Sequence, residues 1–80
     1  MITAMREEIL EILSGICPDI DFEKEEELID GGVIDSFAVI QIVTELMDHF
    51  SIFIDADDIE PENLNSLDNI CEMVKSKMES

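Results

Sequence analysis

One stretch of the chain is built to support chemistry: Leu28-Ile29-Asp30-Gly31-Gly32-Val33-Ile34-Asp35-Ser36-Phe37. A glycine pair relaxes the backbone just before an acid, a serine and a hydrophobe. An apolar helical pattern begins at the serine. A hydroxyl there is exposed at the positive end of a helix, with unpaired backbone N–H groups beside it. That arrangement suits a covalently held phosphate. It does not suit a nucleophilic catalyst. The single histidine, His49, falls at the far end of the same predicted helix, so no Ser-His pair forms within the chain. On position alone, Asp35 or Ser36 could equally be no more than a helix cap, since both types are favoured there.

The other chemistry-bearing residues point elsewhere. Cys17 and Cys71 lie far apart without metal-type spacing, which predicts two reduced, mostly buried thiols. His49 has no Cys or His at ligand spacing and reads as a cation near a helix C-terminus. Asp19, Asp21, Glu23, Glu25, Glu27 and Asp30 fall at the ligand positions of a calcium-binding loop. The turn position is Lys24 where glycine is needed, and the last ligand is Asp30, not a bidentate Glu. No metal site is assigned. Weak divalent binding by the acidic loops is expected only as relief of charge.

Composition bounds what these residues can serve. The chain has 80 residues, 21 Asp plus Glu against 4 Lys plus Arg, a formal net charge of −17 and 46% hydrophobic content. Such length predicts one domain over 1–80. A domain this small has little room to wall off a deep catalytic cleft, so no catalytic residue is assigned. High charge with low hydrophobicity would mean disorder, but this aliphatic content predicts a folded core under an acidic skin. The charge excludes nucleic acid as a direct partner and disfavours anionic membranes. A partner with a basic patch is the complement. No apolar run reaches the roughly 20 residues of a membrane helix. The first eight residues lack a basic region followed by an apolar one, so a cytoplasmic location is expected.

The elements that must position Ser36 follow from periodicity. Met5, Ile9, Ile12, Leu13 and Ile16 predict an amphipathic first helix, with Thr3 as cap and Arg6 where a capping box would want Glu. Pro18 ends it. Residues 18–35 form a long acidic connection pinned by Ile20, Phe22, Leu28 and Ile29. A second helix runs from Ser36 to about Phe50 on Val39, Ile40, Val43, Leu46, Met47 and Phe50, widened by Phe37, Ala38 and Ile42. That breadth means a central helix, or apolar surface kept for another purpose. Ser51–Asp55 is an extended connection, because a lone strand has nothing to pair with. Ala56–Ile59 makes one short helical turn before Pro61. Asn65 or Ser66 then caps a last helix carrying Leu67, Ile70, Cys71, Val74 and Met78, with Lys75 and Lys77 in its last turns. The prediction is an all-α, small four-helix bundle: three main helices, one short one, and a long loop between the first two.

With these elements in place the sequence resembles the acyl carrier protein family. The resemblance rests on Leu28, Val33-Ile34-Asp35-Ser36-Phe37, the apolar helix after it, Phe50, and the later Asn63-Leu64 and Ser66-Leu67 with Ile70. It spans essentially the whole chain. It implies that Ser36 is the attachment point of 4′-phosphopantetheine, added from coenzyme A by a phosphopantetheinyl transferase, making the chain a phosphoprotein. Asp35 would help place the transferase's metal ion or the incoming phosphate. The arm would carry an acyl or aminoacyl thioester, so neither cysteine is needed. The carrier would be a monomer that catalyses nothing itself. An activating ligase and a downstream acyltransferase would dock through basic patches on Phe37, Ala38, Gln41, Glu45 and Asp48. Many fatty-acid carriers have acids where this chain has Ala38 and Gln41. The run Asp35-Ser36-Phe37-Ala38-Val39-Ile40-Gln41 with Glu45-Leu46 is more similar to D-alanyl carrier proteins of the teichoic-acid pathway. Asn63 to Ile70 is closer to general acyl and peptidyl carriers.

A D-alanyl or other aminoacyl carrier is therefore the leading reading, with a fatty-acid or polyketide carrier as its alternative. A reading of another class is an acidic helical adaptor, or a calcium-binding protein, without a prosthetic group. The adaptor would dock a partner on the widened stripe of the second helix, and Ser36→Ala would leave its function intact. Exposed apolar residues near Phe37 and Ile42 are where weak self-association is expected.

Overall fold

The computed structural model describes residues 2–79, with side chains over 5–79. Four α-helices, α1 (Ile2–Ile16), α2 (Ser36–Phe50), α3 (Pro61–Leu64) and α4 (Leu67–Met78), and one 3-10 turn (Ala56–Asp58) make an all-helical bundle. No strand occurs among the described residues. The helix α1 packs on α2 and α4, and α3 packs on α4.

Local chemistry accounts for each boundary. The helix α1 already includes Ile2, ahead of the expected cap Thr3, whose side chain lies outside the described residues. Asp35 caps α2: its backbone is extended, and its Oδ1 accepts the Ala38 N–H at 2.8 Å. The other end closes on Ser51, left-handed at φ 54°, with its N–H and that of Ile52 both donating to the Met47 carbonyl. Of the two candidate caps for α4, the cap is Ser66, whose Oγ accepts the Asn69 N–H at 3.1 Å.

One short element was not expected. The turn placed at Ala56–Ile59 is the 3-10 turn, and α3 follows separately from Pro61. Pro61 reads as a breaker in sequence, yet a proline at the first helical position loses no hydrogen bond and presets φ.

The core contains Ile9 and Leu13 from α1, Val39, Ile42, Val43 and Leu46 from α2, and Leu67, Ile70, Met73 and Val74 from α4. Phe22 and Leu28 of the long connection are fully buried in it, and Ile20 and Ile29 pack against it. The pegs thus pin the loop as expected. Two expectations on α2 need correction. Ile40, assigned to the core stripe, is 58% exposed, and Ile42, assigned to an exposed patch, is buried. The apolar residues of α2 wrap too much of its circumference for all to face the core, and Ile40 falls on the side left open.

Charged side chains tie the helix ends together. Arg6, expected near a capping box, instead donates to Asp68 at the start of α4. Lys77 Nζ lies 2.7 Å from Asp58 Oδ2, joining the end of α4 to the 3-10 turn. Cys17 and Cys71 are free; Cys71 is buried, which pushes its thiol up, and Cys17 is half-buried. No helix among the described residues is long and apolar enough to cross a membrane.

Candidate functional site

The segment Leu28–Ile34 delivers Ser36 to its place. It folds back on itself: the Leu28 carbonyl accepts the N–H groups of both Val33 and Ile34, each at 3.1 Å. Gly32 sits at φ +69°, and a side chain at Gly31 would meet the Glu27 carbonyl oxygen at 2.6 Å. The glycine pair is therefore required by this turn and not merely permissive. Ile34 then plugs into the core, Asp35 caps, and Ser36 opens α2 with its side chain exposed.

The cap leaves donors free. Ala38 N–H goes to Asp35 Oδ1 and Val39 N–H to the Asp35 carbonyl at 3.0 Å. The N–H groups of Ser36 and Phe37 have no protein partner among the described residues. A phosphate ester on Ser36 Oγ would sit beside two unpaired amides at the positive end of a 15-residue helix. The residues present thus fit such a group. Asp35 keeps its second oxygen, Oδ2, without a partner among the described residues.

Ser36 borders a cleft of about 510 Å³. The cleft is lined by Ile29 and Ile34 of the long connection, by Val39 and Ile40 of α2, and by Ile59, Pro61 and Leu64 as its far wall, together with Asp35, Ser36 and Glu60. The far wall comes from the 3-10 turn, which matches the short helical turn expected at Ala56–Ile59, and from α3, which was not expected. It is held by Asn63 Nδ2, which donates to the Asp58 carbonyl at 2.8 Å, and by the Asp58–Lys77 pair. The signal that marks it is Pro61 followed by a buried leucine, Leu64.

Of the expected docking residues, Phe37, Gln41 and Glu45 come together, bordering a second groove of about 240 Å³ with Ile16, Ile40 and Thr44. Phe37 is 73% exposed. Asp48 is exposed but lies beyond this groove, and Ala38 is half-buried against the core. His49 is far from Ser36 along α2: its Nε2 is 3.7 Å from Glu8 Oε1 and its ring meets Phe50 edge-on at 4.7 Å. Among the described residues, no group of three or more His, Cys, Asp or Glu side chains could hold a metal ion. The acids of the long connection therefore do not converge.

No family model matches the chain. Two curated relatives do. A D-alanyl carrier protein of Streptococcus mutans is 28% identical over 69 residues, covering 85% of this chain and 87% of the relative. A D-alanyl carrier protein of Streptococcus uberis is 33% identical over 57 residues, covering 71% of this chain and 72% of the relative.

Proposed function

The chain belongs to the acyl carrier protein family, and we propose that it carries a D-alanyl or other aminoacyl group on a 4′-phosphopantetheine arm attached to Ser36. The observation that supports this most is the exposed Ser36 hydroxyl beside two unpaired amides at the capped start of α2. Attachment joins Ser36 Oγ to the pantetheine phosphorus of coenzyme A. The phosphoanhydride bond breaks, the adenosine bisphosphate half leaves with its electron pair, and the hydroxyl proton passes to a base of the transferase or to solvent. The group supplies the thiol on which cargo rides as a thioester.

The chain's own residues hold and present. The amides of Ser36 and Phe37 stabilise the phosphate charge. Asp35 Oδ1 keeps the helix end ordered, while Oδ2 is available to the transferase's metal ion or the incoming phosphate. Phe37, Gln41, Glu45 and Asp48 form the docking face, with Ala38 behind it. Activating ligase and acyltransferase are steered to it by the net charge of −17 through basic patches of their own. The carrier is a single cytoplasmic domain that acts as a cosubstrate, not as a catalyst.

A second reading has an observation of its own. The apolar cleft next to Ser36 is large enough to shelter a hydrocarbon chain, which favours a fatty-acyl or polyketide cargo. Ala38 and Gln41, where many fatty-acid carriers have acids, weigh against it. Competition between D-alanine, other amino acids and fatty acids for loading by their activating ligases separates the two. Attachment itself is tested by intact mass after incubation with coenzyme A and a broad-specificity phosphopantetheinyl transferase. The wild type gains the arm and Ser36→Ala does not.

A further inference from the structure

Asn65 lies far from Ser36 in sequence, yet it holds the segment that places Ser36. Its Oδ1 accepts the N–H groups of Ile29 at 2.9 Å and Asp30 at 3.0 Å. Its Nδ2 donates to Asp30 Oδ2 at 2.9 Å, and its backbone carbonyl accepts the Leu28 N–H at 2.8 Å. Two amide donors can face only an acceptor, so the orientation of the side chain is fixed by chemistry. Among the described residues, every hydrogen bond from 28–34 to another part of the chain ends on Asn65. The remaining bonds of that segment are local. Asn65 is itself held by its N–H, which donates to the Pro61 carbonyl at 2.9 Å, and it follows Leu64 of the opposite cleft wall. One side chain thus joins both walls of the cleft and the turn that leads into Asp35-Ser36.

We propose that Asn65 is a positioning residue for the Ser36 site: it fixes the 28–34 turn, and through it the approach of the Ser36 hydroxyl to a modifying enzyme. This rests on Ser36 being the attachment point. Its role is distinct from capping, which Ser66 performs. A serine or threonine in its place is too short to reach both amides and Asp30. An aspartate keeps the acceptor but sets a second carboxylate against that of Asp30.

The test exchanges the pair. Asn65→Asp alone turns a donor–acceptor contact into a repulsion. Asn65→Asp with Asp30→Asn keeps the acceptor for both backbone amides and restores the bond between the two side chains in the reverse sense, at the original net charge. Initial rates of phosphopantetheine attachment are measured well below each variant's melting temperature, alongside hydrogen exchange of the Ile29 and Asp30 amides. Asn65→Asp is expected to lose kcat/KM by roughly ten- to a hundredfold and to lose protection at both amides, and the exchanged pair is expected to recover both. If the charged variant fails to fold, Asn65→Ala removes the three side-chain bonds without adding charge and is expected to show the same slowing. Wild-type rates in a folded Asn65→Asp or Asn65→Ala, even with a lowered melting temperature, would overturn the proposal and leave Ser36 standing. So would an exchanged pair no better than the single variant. A wild type that gains no arm would overturn the Ser36 reading and this one with it.

Discussion

Asp35 does two jobs that a substitution can separate. Its Oδ1 caps α2 through the Ala38 amide, and its charge stands next to Ser36. Asparagine caps a helix about as well as aspartate, whereas alanine does not. Asp35→Ala should therefore cost about 0.5–2 kcal/mol of stability, read by chemical denaturation, and Asp35→Asn should cost almost none. Both should slow attachment to Ser36, because both remove the carboxylate. Wild-type attachment in Asp35→Asn would confine Asp35 to its capping role. The Asp35-Ser36 pair was legible because a cap is a local code, written in adjacent residues. Asn65 was not, because its partners Ile29 and Asp30 are remote in sequence and nothing local distinguishes it from the cap at Ser66.

At the scale of elements, two phenylalanines mark the difference between fold and function. Phe22, in the long connection, is buried in the core, while Phe37, one residue past Ser36, is 73% exposed. Phe22→Ala should cost about 3–5 kcal/mol, the range for a buried aromatic. Phe37→Ala should change stability by no more than about 0.5 kcal/mol, yet weaken loading by the activating ligase. Equal effects of the two on stability would contradict the assignment of Phe37 to a docking face. The start and end of α2 could be read from sequence because Asp35 and the run to Phe50 bracket it. The burial of Ile40 and Ile42 could not, since an apolar pattern that wraps a helix does not say which side its neighbours cover. The helix α3 was hidden by a proline that starts a helix as readily as it stops one.

The whole molecule carries −17 on 80 residues and still has a Cα radius of gyration of 11.3 Å, close to the roughly 11.6 Å expected of a compact chain this long. Two of its four Lys and Arg side chains hold elements together: Arg6 on Asp68 between α1 and α4, and Lys77 on Asp58 between α4 and the 3-10 turn. The Lys77 ammonium holds the Asp58 carboxyl below its usual range, and the same contact holds Lys77 above its own. A lowered carboxyl contributes stability above its unfolded value of about 3.9, lost as pH falls through the folded value. A raised ammonium contributes below its unfolded value of about 10.4, lost as pH rises through the folded value. The pair therefore contributes fully between about pH 4 and pH 10. Asp58→Asn should melt below the wild type at neutral pH, and the gap should close under acid below about pH 4. Equal melting at neutral pH would show that this contact does not hold the cleft wall.

Everything proposed for this molecule depends on Ser36 being the point at which a prosthetic arm is joined. Intact-mass spectrometry of wild type and Ser36→Ala, each incubated with coenzyme A and a broad-specificity phosphopantetheinyl transferase, tests it most directly. One phosphopantetheine is expected on the wild type and none on the variant. An unmodified wild type, or an undiminished mass gain on Ser36→Ala, would contradict it.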